Sequence, residues 1–244
     1  MANILQNLPL GGGFWLMEAE LPRESAGFPR APQMGQFYML RAWETYPVLS
    51  RPISVFDAGE NRVSFLYKVV GKGTALLSAC AAGQNITLDG PYGTGWPEVR
   101  GRIALVGGGV GVAPFYLAAK ALKALDSASQ IDTFLGFSDA VLLEDAYRTV
   151  SDNLTAQVGG FITDAVEVAA YDHILACGPD AMMAALYKKC AAAAVQNRLW
   201  VSLENRMACG IGACLVCTCK TSGGNKKACT DGPVMKGEAV YGNV

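Results

Sequence analysis

The sequence has little charge, and neither sign prevails. Only 17% of its 244 residues are charged, and 20 Lys and Arg face 21 Asp and Glu, for a formal net charge of −1. A nucleic-acid-binding protein usually concentrates basic residues on one face, so this balance argues against a nucleic-acid partner. Histidine is nearly absent: His173 starts a predicted strand, and we expect no chemical role for it.

The sequence also lacks a long uninterrupted apolar run. Its longest apolar stretch, residues 103–119, is broken by four glycines and a proline, which excludes a membrane span there. The first residues have neither a basic start nor a long apolar segment, so we expect no secretory leader and a cytoplasmic protein. An apolar content of 51% predicts an extensive core, or a surface that a partner covers.

Eight cysteines stand out against this background, and outside an oxidising compartment they favour metal binding over disulfides. Four of them follow the spacing C-x4-C-x2-C-x11-C, namely Cys209, Cys214, Cys217 and Cys229. This spacing is typical of plant-type [2Fe–2S] ligands. Gly210 and Gly212 lie in the first interval, where positive φ angles allow backbone N–H groups to approach the sulfurs.

Two other interpretations of these cysteines stay open. Structural zinc also uses four cysteines, but usually as two short C-x2-C-like pairs, and only one such pair is present. Disulfides would imply an oxidising compartment. If the segment is a strand, Cys219 shares the face of Cys217 and lies about 7 Å further along, so geometry alone does not exclude it as a ligand. The plant-type spacing is complete without Cys219, and we assign it no ligand role.

The N-terminal part of the chain is predicted to be rich in β-strands. Strand-like runs are separated by Pro and Gly clusters, as in a barrel or sandwich, at residues 14–20, 36–41, 62–70 and 85–89. Two segments in this part suit a dinucleotide. Arg51 can pair bidentately with a pyrophosphate, while Gly73 and Thr74 can open a helix whose first N–H groups face an anion. A solvated arginine and an ordinary turn are the alternatives.

A second part begins near residue 101 with a buried-type strand. This strand runs into a glycine-rich loop at 107–114, and a helix is predicted over 115–125. Strand, loop and helix together form a nucleotide phosphate site. Val112 breaks the strict G-x-G-x-x-G fingerprint, so the pattern favours a doubly wound nucleotide fold without the standard dehydrogenase loop. An ordinary βα turn is the alternative.

Strands and helices continue to alternate beyond this loop, which predicts a parallel sheet. Strands are predicted at 131–137 and from His173 to Cys177, and helices at 143–150 and 181–196. Ligands bind beyond the carboxyl ends of such strands, where the glycine loop and residues 177–179 both fall.

Asp139 follows the second strand of this parallel sheet. Its carboxylate can accept a hydrogen bond from a ribose 2′-OH but repels a 2′-phosphate, and residues 140–143 offer no Arg or Lys to bind that phosphate. We therefore expect a preference for NAD(H) over NADP(H). The alternative is that Asp139 caps the next helix.

With these motifs in place, the chain resembles the ferredoxin–NADP reductase superfamily and, within it, the electron-transfer subunits of type B dihydroorotate dehydrogenases. The matching motifs span nearly the whole chain: RPIS at 51–54, GKGT at 71–74, GGGVGVAP at 107–114, CGP at 177–179, and ENRMAC at 204–209 continuing to DGP at 231–233. One departure concerns position 53, where the wider superfamily often has tyrosine. This chain has Ile53, so an aromatic contact with the flavin ring is not expected from that position.

The resemblance implies an α+β multidomain fold. It comprises an antiparallel FAD-binding β-barrel at 1–98, a doubly wound α/β NAD-binding domain at 99–200 and a small C-terminal [2Fe–2S] domain at 201–244. The implied FAD contacts are Arg51, Pro52, Ile53, Ser54, Leu66, Tyr67, Lys68, Gly73 and Thr74. The implied NAD(H) contacts are Gly107, Gly109, Val110, Gly111, Pro114, Cys177, Gly178 and Pro179. Asp139 is a further expected contact of this nucleotide. Cys177 is expected beside the nicotinamide, and the implied cluster ligands are Cys209, Cys214, Cys217 and Cys229.

The resemblance also implies a partner, an FMN-containing dihydroorotate dehydrogenase catalytic subunit, in a heterotetramer with two of each. Dihydroorotate would reduce FMN there, and electrons would pass singly through the cluster to FAD and as a hydride to NAD+, in pyrimidine biosynthesis. The chain itself leaves no room for a second flavin-bearing (β/α)8 barrel, which takes about 250 residues. Apolar residues beside the cysteines, Ile211, Ala213, Leu215 and Val216, either face that partner or pack under the cluster.

Other functions remain as alternatives. A related NAD(P)H flavin and iron–sulfur reductase can serve another acceptor, such as a hydrogenase or a sulfide-linked subunit. A ferredoxin-like carrier without nicotinamide chemistry and a zinc-stabilised interaction module belong to different classes. A flavin spectrum that NADH bleaches separates the reductases from these two.

Overall fold

The computed structural model describes residues 1–21 and 31–242, so residues 22–30 of the predicted barrel domain and the last two residues of the predicted cluster domain lie outside it. The chain folds into a closed β-barrel, an α/β sheet and a C-terminal segment that contacts both. None of the helices within the described ranges is both long and apolar enough to cross a membrane.

Six antiparallel strands close the barrel in the order β1-β2-β5-β4-β3-β6. They are β1 (Ala2–Gly11), β2 (Phe14–Glu20), β3 (Phe37–Arg41), β4 (Arg51–Ala58), β5 (Arg62–Lys68) and β6 (Asn85–Tyr92). Closure leaves no unpaired edge, and the interior is filled by buried side chains such as Met17, Leu40 and Phe65. The predicted antiparallel barrel is confirmed.

The four predicted strand runs correspond to β2, β3, β5 and β6, whereas β1 and β4 were not predicted. In β1, buried and exposed residues alternate only over Ala2–Leu5, and a register shift follows Ile4, so the period-two pattern is lost. The run predicted at 85–89 is longer in the structure, because β6 continues to Tyr92, which pairs with Phe37.

The second region is a six-stranded sheet in the order β14-β11-β10-β7-β8-β9, in which only β14 is antiparallel. Its strands are β7 (Arg102–Gly108), β8 (Gln130–Phe137), β9 (Asn153–Val158), β10 (His173–Cys177), β11 (Leu199–Ser202) and β14 (Val234–Lys236). Alternate residues of β7 face opposite sides: Ile103 and Leu105 join the core that continues into the barrel, while Ala104 and Val106 join a second core.

Helices cover both faces of this sheet, as in a doubly wound fold. The α-helices within the described residues are α1 (Lys72–Ser78), α2 (Phe115–Leu125), α3 (Glu144–Arg148), α4 (Asp180–Ala192) and α5 (Gly237–Tyr241). Leu122 of α2 packs in the core shared with the barrel, and Leu186 of α4 packs in the second core. The predicted helices over 115–125, 143–150 and 181–196 are present, the last two in shorter form, whereas β9, β11 and β14 were not predicted.

The C-terminal segment leaves the sheet after β11 and returns to it. A hairpin of β12 (Thr218–Thr221) and β13 (Gly224–Lys227) projects from it, and β14 then pairs with β11. The segment is also fixed to the barrel end: the Thr94 backbone N donates to the Gly232 carbonyl at 2.6 Å, and the Thr94 hydroxyl donates to the Val234 carbonyl at 3.2 Å. The predicted boundaries at 98/99 and 200/201 stay a prediction; the second falls inside β11.

Candidate functional site

A cleft of about 260 Å³ opens where the barrel, the carboxyl edge of the sheet and the C-terminal segment meet. Its barrel side is formed by Phe37, Arg51, Pro52, Ile53, Ser54, Leu66, Tyr67, Lys68, Val70 and Thr74. The sheet contributes Val110, Ala113 and Cys177. The C-terminal segment contributes Ser202, Leu203, Glu204, Asn205, Met207 and Pro233. Eight of the nine predicted FAD contacts therefore line one surface, and Gly73 lies directly behind it.

Arg51 is held in place from two sides. Its guanidinium lies 5.4 Å from the centre of the Trp43 ring, and on the other side it touches Gly73, where a Cβ atom would collide with it. Stacking on an aromatic ring orients the planar guanidinium. Its Nη1 donates to the Leu49 carbonyl at 2.5 Å, and the remaining N–H groups can donate to an anion. This arrangement fits the pyrophosphate of a dinucleotide, and it explains the glycine at 73.

The Thr74 side chain, besides lining the cleft, is hydrogen bonded within the fold. Its hydroxyl accepts hydrogen bonds from the backbone N atoms of Val70 at 2.9 Å and Gly71 at 3.1 Å, and donates to the Gly71 carbonyl at 2.9 Å. The side chain thus stabilises the first turn of α1. Tyr67 is likewise used internally, because its hydroxyl donates to Asn7 at 3.0 Å and burial raises its pKa.

Two glycine-rich turns meet behind the sheet side of the cleft. The loop after β7 forms a 3-10 turn at Gly109–Val112, and Pro114 precedes α2. A Cβ atom on Gly111 would collide with the backbone of Cys177 and Gly178, and one on Gly108 would lie 3.1 Å from Pro179. Of the predicted NAD(H) contacts, Val110 and Cys177 reach the cleft, while Gly107, Gly111, Pro114, Gly178 and Pro179 shape the turns behind it.

The remaining two predicted NAD(H) contacts, Gly109 and Asp139, line a separate recess of about 20 Å³ with Phe137 and Ser138. Asp139 does not cap α3, whose cap position is Leu143, so the capping alternative is wrong. Its carboxylate instead accepts a hydrogen bond from the Ser138 hydroxyl at 2.8 Å and lies 3.9 Å from the Lys68 ammonium. Lys68 had been predicted as an FAD contact, and its proximity to Asp139 was not expected because it comes from the barrel. His173 begins β10 at the opposite edge of the sheet.

Cys177 and Glu204 face each other inside the cleft. The Cys177 thiol is only 2% exposed, and burial raises its pKa well above the usual value. Its Sγ lies 4.0 Å from Oε1 of Glu204. Glu204 lines the cleft and is exposed on its open side, and partial desolvation raises the pKa of its carboxyl. This pair joins the carboxyl ends of β10 and β11 to the C-terminal segment.

The four motif cysteines lie on one exposed loop, residues 208–217, and on the segment that closes over it at Cys229. We call 208–217 the cluster loop. No three potential metal ligands draw together within the described residues, and the sulfurs form two pairs instead. Cys217 and Cys229 are buried with their sulfurs 3.2 Å apart. The Cys214 backbone N donates to the Cys209 sulfur at 3.4 Å.

Backbone amides of the cluster loop stabilise a thiolate. Hydrogen bonds from the backbone N–H groups of Cys214 and then Ile211 lower the pKa of Cys209 to about 6. Gly210 and Gly212 have φ angles of +74° and +79°, which turn the loop tightly. Burial first, and then the neighbouring sulfurs of Cys217 and Cys209, raise the pKa of Cys229 to about 11, so the two pairs interact. Four thiols, one of them readily ionised, fit a thiolate-bound cluster.

Cys219 lies apart from these four. It is on β12, its sulfur is 3.4 Å from the Lys226 carbonyl, and it packs against the second core of the sheet domain. Cys217 and Cys229 belong to a different apolar group, with Phe37, Met39 and Met207. This separation supports the prediction that Cys219 is not a ligand.

The cleft and the cluster loop share a wall. Phe37 from β3 and Met207 from the C-terminal segment line the cleft and also pack with Cys217 and Cys229. Next to them, Asn205 lines the cleft and donates from Nδ2 to the Cys217 carbonyl at 3.2 Å. A group bound in the cleft and a group bound by the cysteines would thus be separated by a single layer of side chains.

Sequence analysis missed the C-terminal side of the cleft. Ser202, Leu203, Glu204, Asn205 and Met207 all line it, although they lie in the predicted cluster domain at 201–244 and none was predicted to contact FAD or NAD(H). The signal was available in part, since Glu204 and Asn205 are polar residues that precede the ligands in the motif at 204–209. Their position in the cleft depends on how β11 ends beside β10, which the local pattern does not encode.

This chain is similar in sequence to one group of known proteins. Residues 204–241 match the family model of the iron–sulfur cluster binding domain of dihydroorotate dehydrogenase B. The dihydroorotate dehydrogenase B (NAD(+)) electron transfer subunit of Clostridium acetobutylicum is 43% identical over 218 residues, covering 86% of this chain and 86% of that protein. The subunit of the same name from Clostridium perfringens is 41% identical and covers 84% of this chain and 86% of that protein.

Solved structures agree on the fold. A chain of the NADH-dependent reduced ferredoxin–NADP oxidoreductase, studied for flavin-based electron bifurcation, superposes with a TM-score of 0.85 at 32% identity, over 98% of this chain and 89% of that one. The ferredoxin reductase of carbazole 1,9a-dioxygenase superposes with a TM-score of 0.67 at 20% identity, over 81% of this chain and 67% of that one. The barrel, the nucleotide sheet, the cysteine motif and the sequence identities lead to one assignment. The chain belongs to the family of dihydroorotate dehydrogenase B electron-transfer subunits.

Proposed function

We propose that this chain carries electrons between a dihydroorotate-oxidising catalytic subunit and NAD(H), through the cysteine motif and the cleft. As a member of its family it is an oxidoreductase subunit that uses FAD, an iron–sulfur cluster and a nicotinamide nucleotide. FAD, when bound, exchanges a hydride with a nicotinamide and single electrons with a [2Fe–2S] cluster, which makes it the necessary intermediary.

The shared wall of Phe37 and Met207 is the observation that carries this proposal. Electron transfer requires donor and acceptor to approach closely, and only one layer of side chains lies between the cleft and the buried pair Cys217 and Cys229. Both wall residues are largely buried, so water is excluded from the space between the two sites. The chain thus places a one-electron site and a two-electron site back to back.

FAD is assigned to the cleft. Arg51, oriented by Trp43 and Gly73, would bind the pyrophosphate, which FMN lacks. The β4 residues Pro52, Ile53 and Ser54 and the end of β5 would hold the rest of the molecule against the barrel. We expect acid extraction of the purified chain followed by chromatography to yield FAD, and a yield of mainly FMN would contradict the assignment.

The nicotinamide nucleotide is assigned to the sheet side. Val110 and Cys177 reach the cleft and would place the nicotinamide next to FAD, while Gly109 and Asp139 lie along the recess and would contact the adenosine half. The Asp139 carboxylate favours a free ribose 2′-OH over a 2′-phosphate. We therefore propose NAD(H) as the preferred nucleotide.

The cluster is assigned to Cys209, Cys214, Cys217 and Cys229. Cys217 and Cys229 face the shared wall, whereas Cys214 is exposed. Electrons would thus leave on the buried side toward FAD and enter on the exposed side. The pKa of Cys209, lowered by backbone N–H groups, favours the thiolate form that binds iron.

The exposed side of the cluster loop is assigned to the partner. Ile211, Leu215 and Val216 are 60%, 63% and 54% exposed, so they do not pack under the cysteines. Apolar side chains grouped around a redox centre are what a permanent partner would cover. We propose an FMN-containing catalytic subunit as that partner, two copies of each subunit, and the cytoplasm as the location.

A second candidate function is a related reductase subunit that serves another acceptor. The similarity at 32% identity to a chain of an NADH-dependent reduced ferredoxin–NADP oxidoreductase favours it. The identity of the protein that copurifies with the chain distinguishes the two candidates, because both predict FAD, a cluster and NADH-driven bleaching.

One reconstitution experiment tests the proposal. The purified chain should bleach its flavin with NADH but fail to reduce NAD+ with dihydroorotate, because the described residues contain one flavin-sized cleft beside the cluster loop and no second barrel. Adding a dihydroorotate dehydrogenase B catalytic subunit should restore dihydroorotate-dependent NAD+ reduction. Robust activity of the chain alone, or no activity with the catalytic subunit, would overturn the proposed function.

A further inference from the structure

Two walls of the recess assigned to the adenosine half of NAD(H) come from different segments of the sheet domain. One wall is the glycine-rich loop after β7, which contributes Gly109, and the other is the segment after β8, which contributes Ser138, Asp139, Ala140 and Leu142. None of these five residues lies in a strand or an α-helix. Contacts from elsewhere in the fold therefore have to fix the distance between the two walls.

The glycine-rich loop needs such a contact more than the other wall does. Glycine occupies four of the five positions from 107 to 111, and a glycine-rich backbone loses much conformational entropy when it is ordered. A Cβ atom on Gly109 would meet no atom within 4 Å, so there is open space beside the tip of the loop. The end of the loop at Val112, in contrast, is fully buried.

Tyr147 anchors this buried end. Its hydroxyl donates to the Val112 carbonyl at 2.6 Å, and both residues are 0% exposed. Burial first, and then the nearby Cys177 sulfur, raise the pKa of Tyr147 well above its usual value, so the hydroxyl keeps its proton for this bond. A hydrogen bond that is shielded from water in this way is stronger than an exposed one.

Tyr147 is also connected to the second wall. It lies on α3, which begins two residues after Leu142, and its backbone N donates to the Leu143 carbonyl at 3.0 Å. The helix turn thus joins Tyr147 to the end of the segment that contains Asp139. A single side chain therefore connects the two walls of the recess.

The ring of Tyr147 is held by two other aromatic rings. Its centre lies 6.2 Å from that of Phe56 and 5.9 Å from that of Tyr116, with interplanar angles of 79° and 88°. Edge-to-face pairs of this kind fix the orientation of a ring. Phe56 lies on β4, two residues after Ser54 of the cleft, and Tyr116 lies on α2. The hydroxyl is therefore directed at Val112 by residues of both domains.

Resting on the proposed function, we propose that Tyr147 is a positioning residue for NAD(H). Its hydrogen bond to Val112 keeps the glycine-rich loop at the distance from the Asp139 segment that the adenosine and the pyrophosphate require. Tyr147 is buried behind the loop and does not line the recess, so it acts on the nucleotide only through the loop. It contributes to nucleotide affinity and not to the hydride transfer itself.

The test removes only the hydroxyl, in the full chain loaded with FAD and cluster. Tyr147→Phe should raise KM for NADH about fivefold with an unchanged kcat for dye reduction, because the lost hydrogen bond weakens binding in ground state and transition state alike. Tyr171→Phe is the matched control. It removes a buried tyrosine hydroxyl that donates to Asp132 at 2.9 Å near the amino edge of the sheet, and it should match the wild type in both constants.

Two measurements test the position of the loop without catalysis. ADP-ribose contains the adenosine and the pyrophosphate but no nicotinamide, and calorimetry should show its dissociation constant raised about fivefold in Tyr147→Phe. Hydrogen–deuterium exchange of the amides at 107–113 should be faster in Tyr147→Phe than in the wild type, because the loop opens more often. Neither quantity should change in Tyr171→Phe.

The outcomes separate this inference from the proposed function. A wild-type flavin that NADH does not bleach would overturn the proposed function. Normal bleaching together with an unchanged ADP-ribose affinity and unchanged loop exchange in Tyr147→Phe would overturn the role of Tyr147, and so would equal shifts in the two variants. Should Tyr147→Phe fold poorly, exchange in the wild type decides: amides at 107–113 that exchange as fast as the exposed glycine turn at 159–160 would show that the loop is not held.

Discussion

The cleft and the cluster loop share a wall but are built in opposite ways. In the cleft, backbone segments touch directly, as Gly111 does with Cys177 and Gly178, and the chemistry-bearing thiol is 2% exposed. In the cluster loop, Cys214 and three large aliphatic side chains are exposed. Close packing fixes the shape of a site for small ligands, whereas an exposed apolar loop requires a protein partner to cover it.

The largest effect is expected when one of the four motif cysteines is replaced. Cys214→Ser should abolish the EPR signal of the reduced cluster, because a hydroxyl is a poor substitute for a thiolate on iron. Cys219→Ser is the matched control, since its sulfur packs against the second core of the sheet domain. Loss of the signal in the Cys219 variant would refute the ligand assignment.

Close packing in the cleft predicts the next largest effect. Gly111→Ala should destabilise the protein by about 3 kcal/mol, because its Cβ would collide with the Cys177 backbone. Gly109→Ala, two residues away, meets open space at a φ of +57° and should cost about 1 kcal/mol for the left-handed backbone alone. Denaturant unfolding of both variants measures the difference, and equal losses would show that the contact between the two turns does not matter.

A charged substitution on the exposed side of the cluster loop tests whether this side contacts the partner. Ile211→Glu should weaken the complex with the catalytic subunit by about tenfold while NADH-to-dye activity persists, because a carboxylate would have to be desolvated in the interface. Leu8→Glu, on an exposed barrel position, provides the control. Calorimetric titration with the catalytic subunit measures the dissociation constant of each variant. Equal affinities of the two variants would place the partner elsewhere.

The smallest expected effect concerns the recess. Asp139→Ala should narrow the preference for NADH over NADPH by a few-fold, because it removes an exposed carboxylate that repels a 2′-phosphate and releases Lys68 from its partner at 3.9 Å. The measurement is kcat/KM for both nucleotides with a dye acceptor. If the wild type uses NADPH as well as NADH, the assigned role of Asp139 is refuted.

Local patterns in the sequence predicted much of this architecture. Gly and Pro clusters around β2, β3, β5 and β6 indicated a β-rich N-terminal part, and the glycine loop before α2 indicated a nucleotide fold. Three of the strands that were missed, β1, β11 and β14, lack a strong local pattern. β1 loses its alternation at a register shift, and β11 and β14 are short strands whose burial comes from each other and from β10. Such strands are specified by neighbours that are distant in the sequence.

The sequence by itself determined the cysteine spacing, the order of barrel, nucleotide domain and cluster motif, and the Arg51 and glycine segments, because spacing and turn chemistry are local properties. Only the tertiary structure decided that Glu204 opens into the cleft beside Cys177, that Phe37 and Met207 separate the two sites, and that Ile211, Leu215 and Val216 face outward. These relations join residues from β3, β10 and the C-terminal segment. They follow from the way the sheet and the barrel pack together, which no single stretch of sequence records.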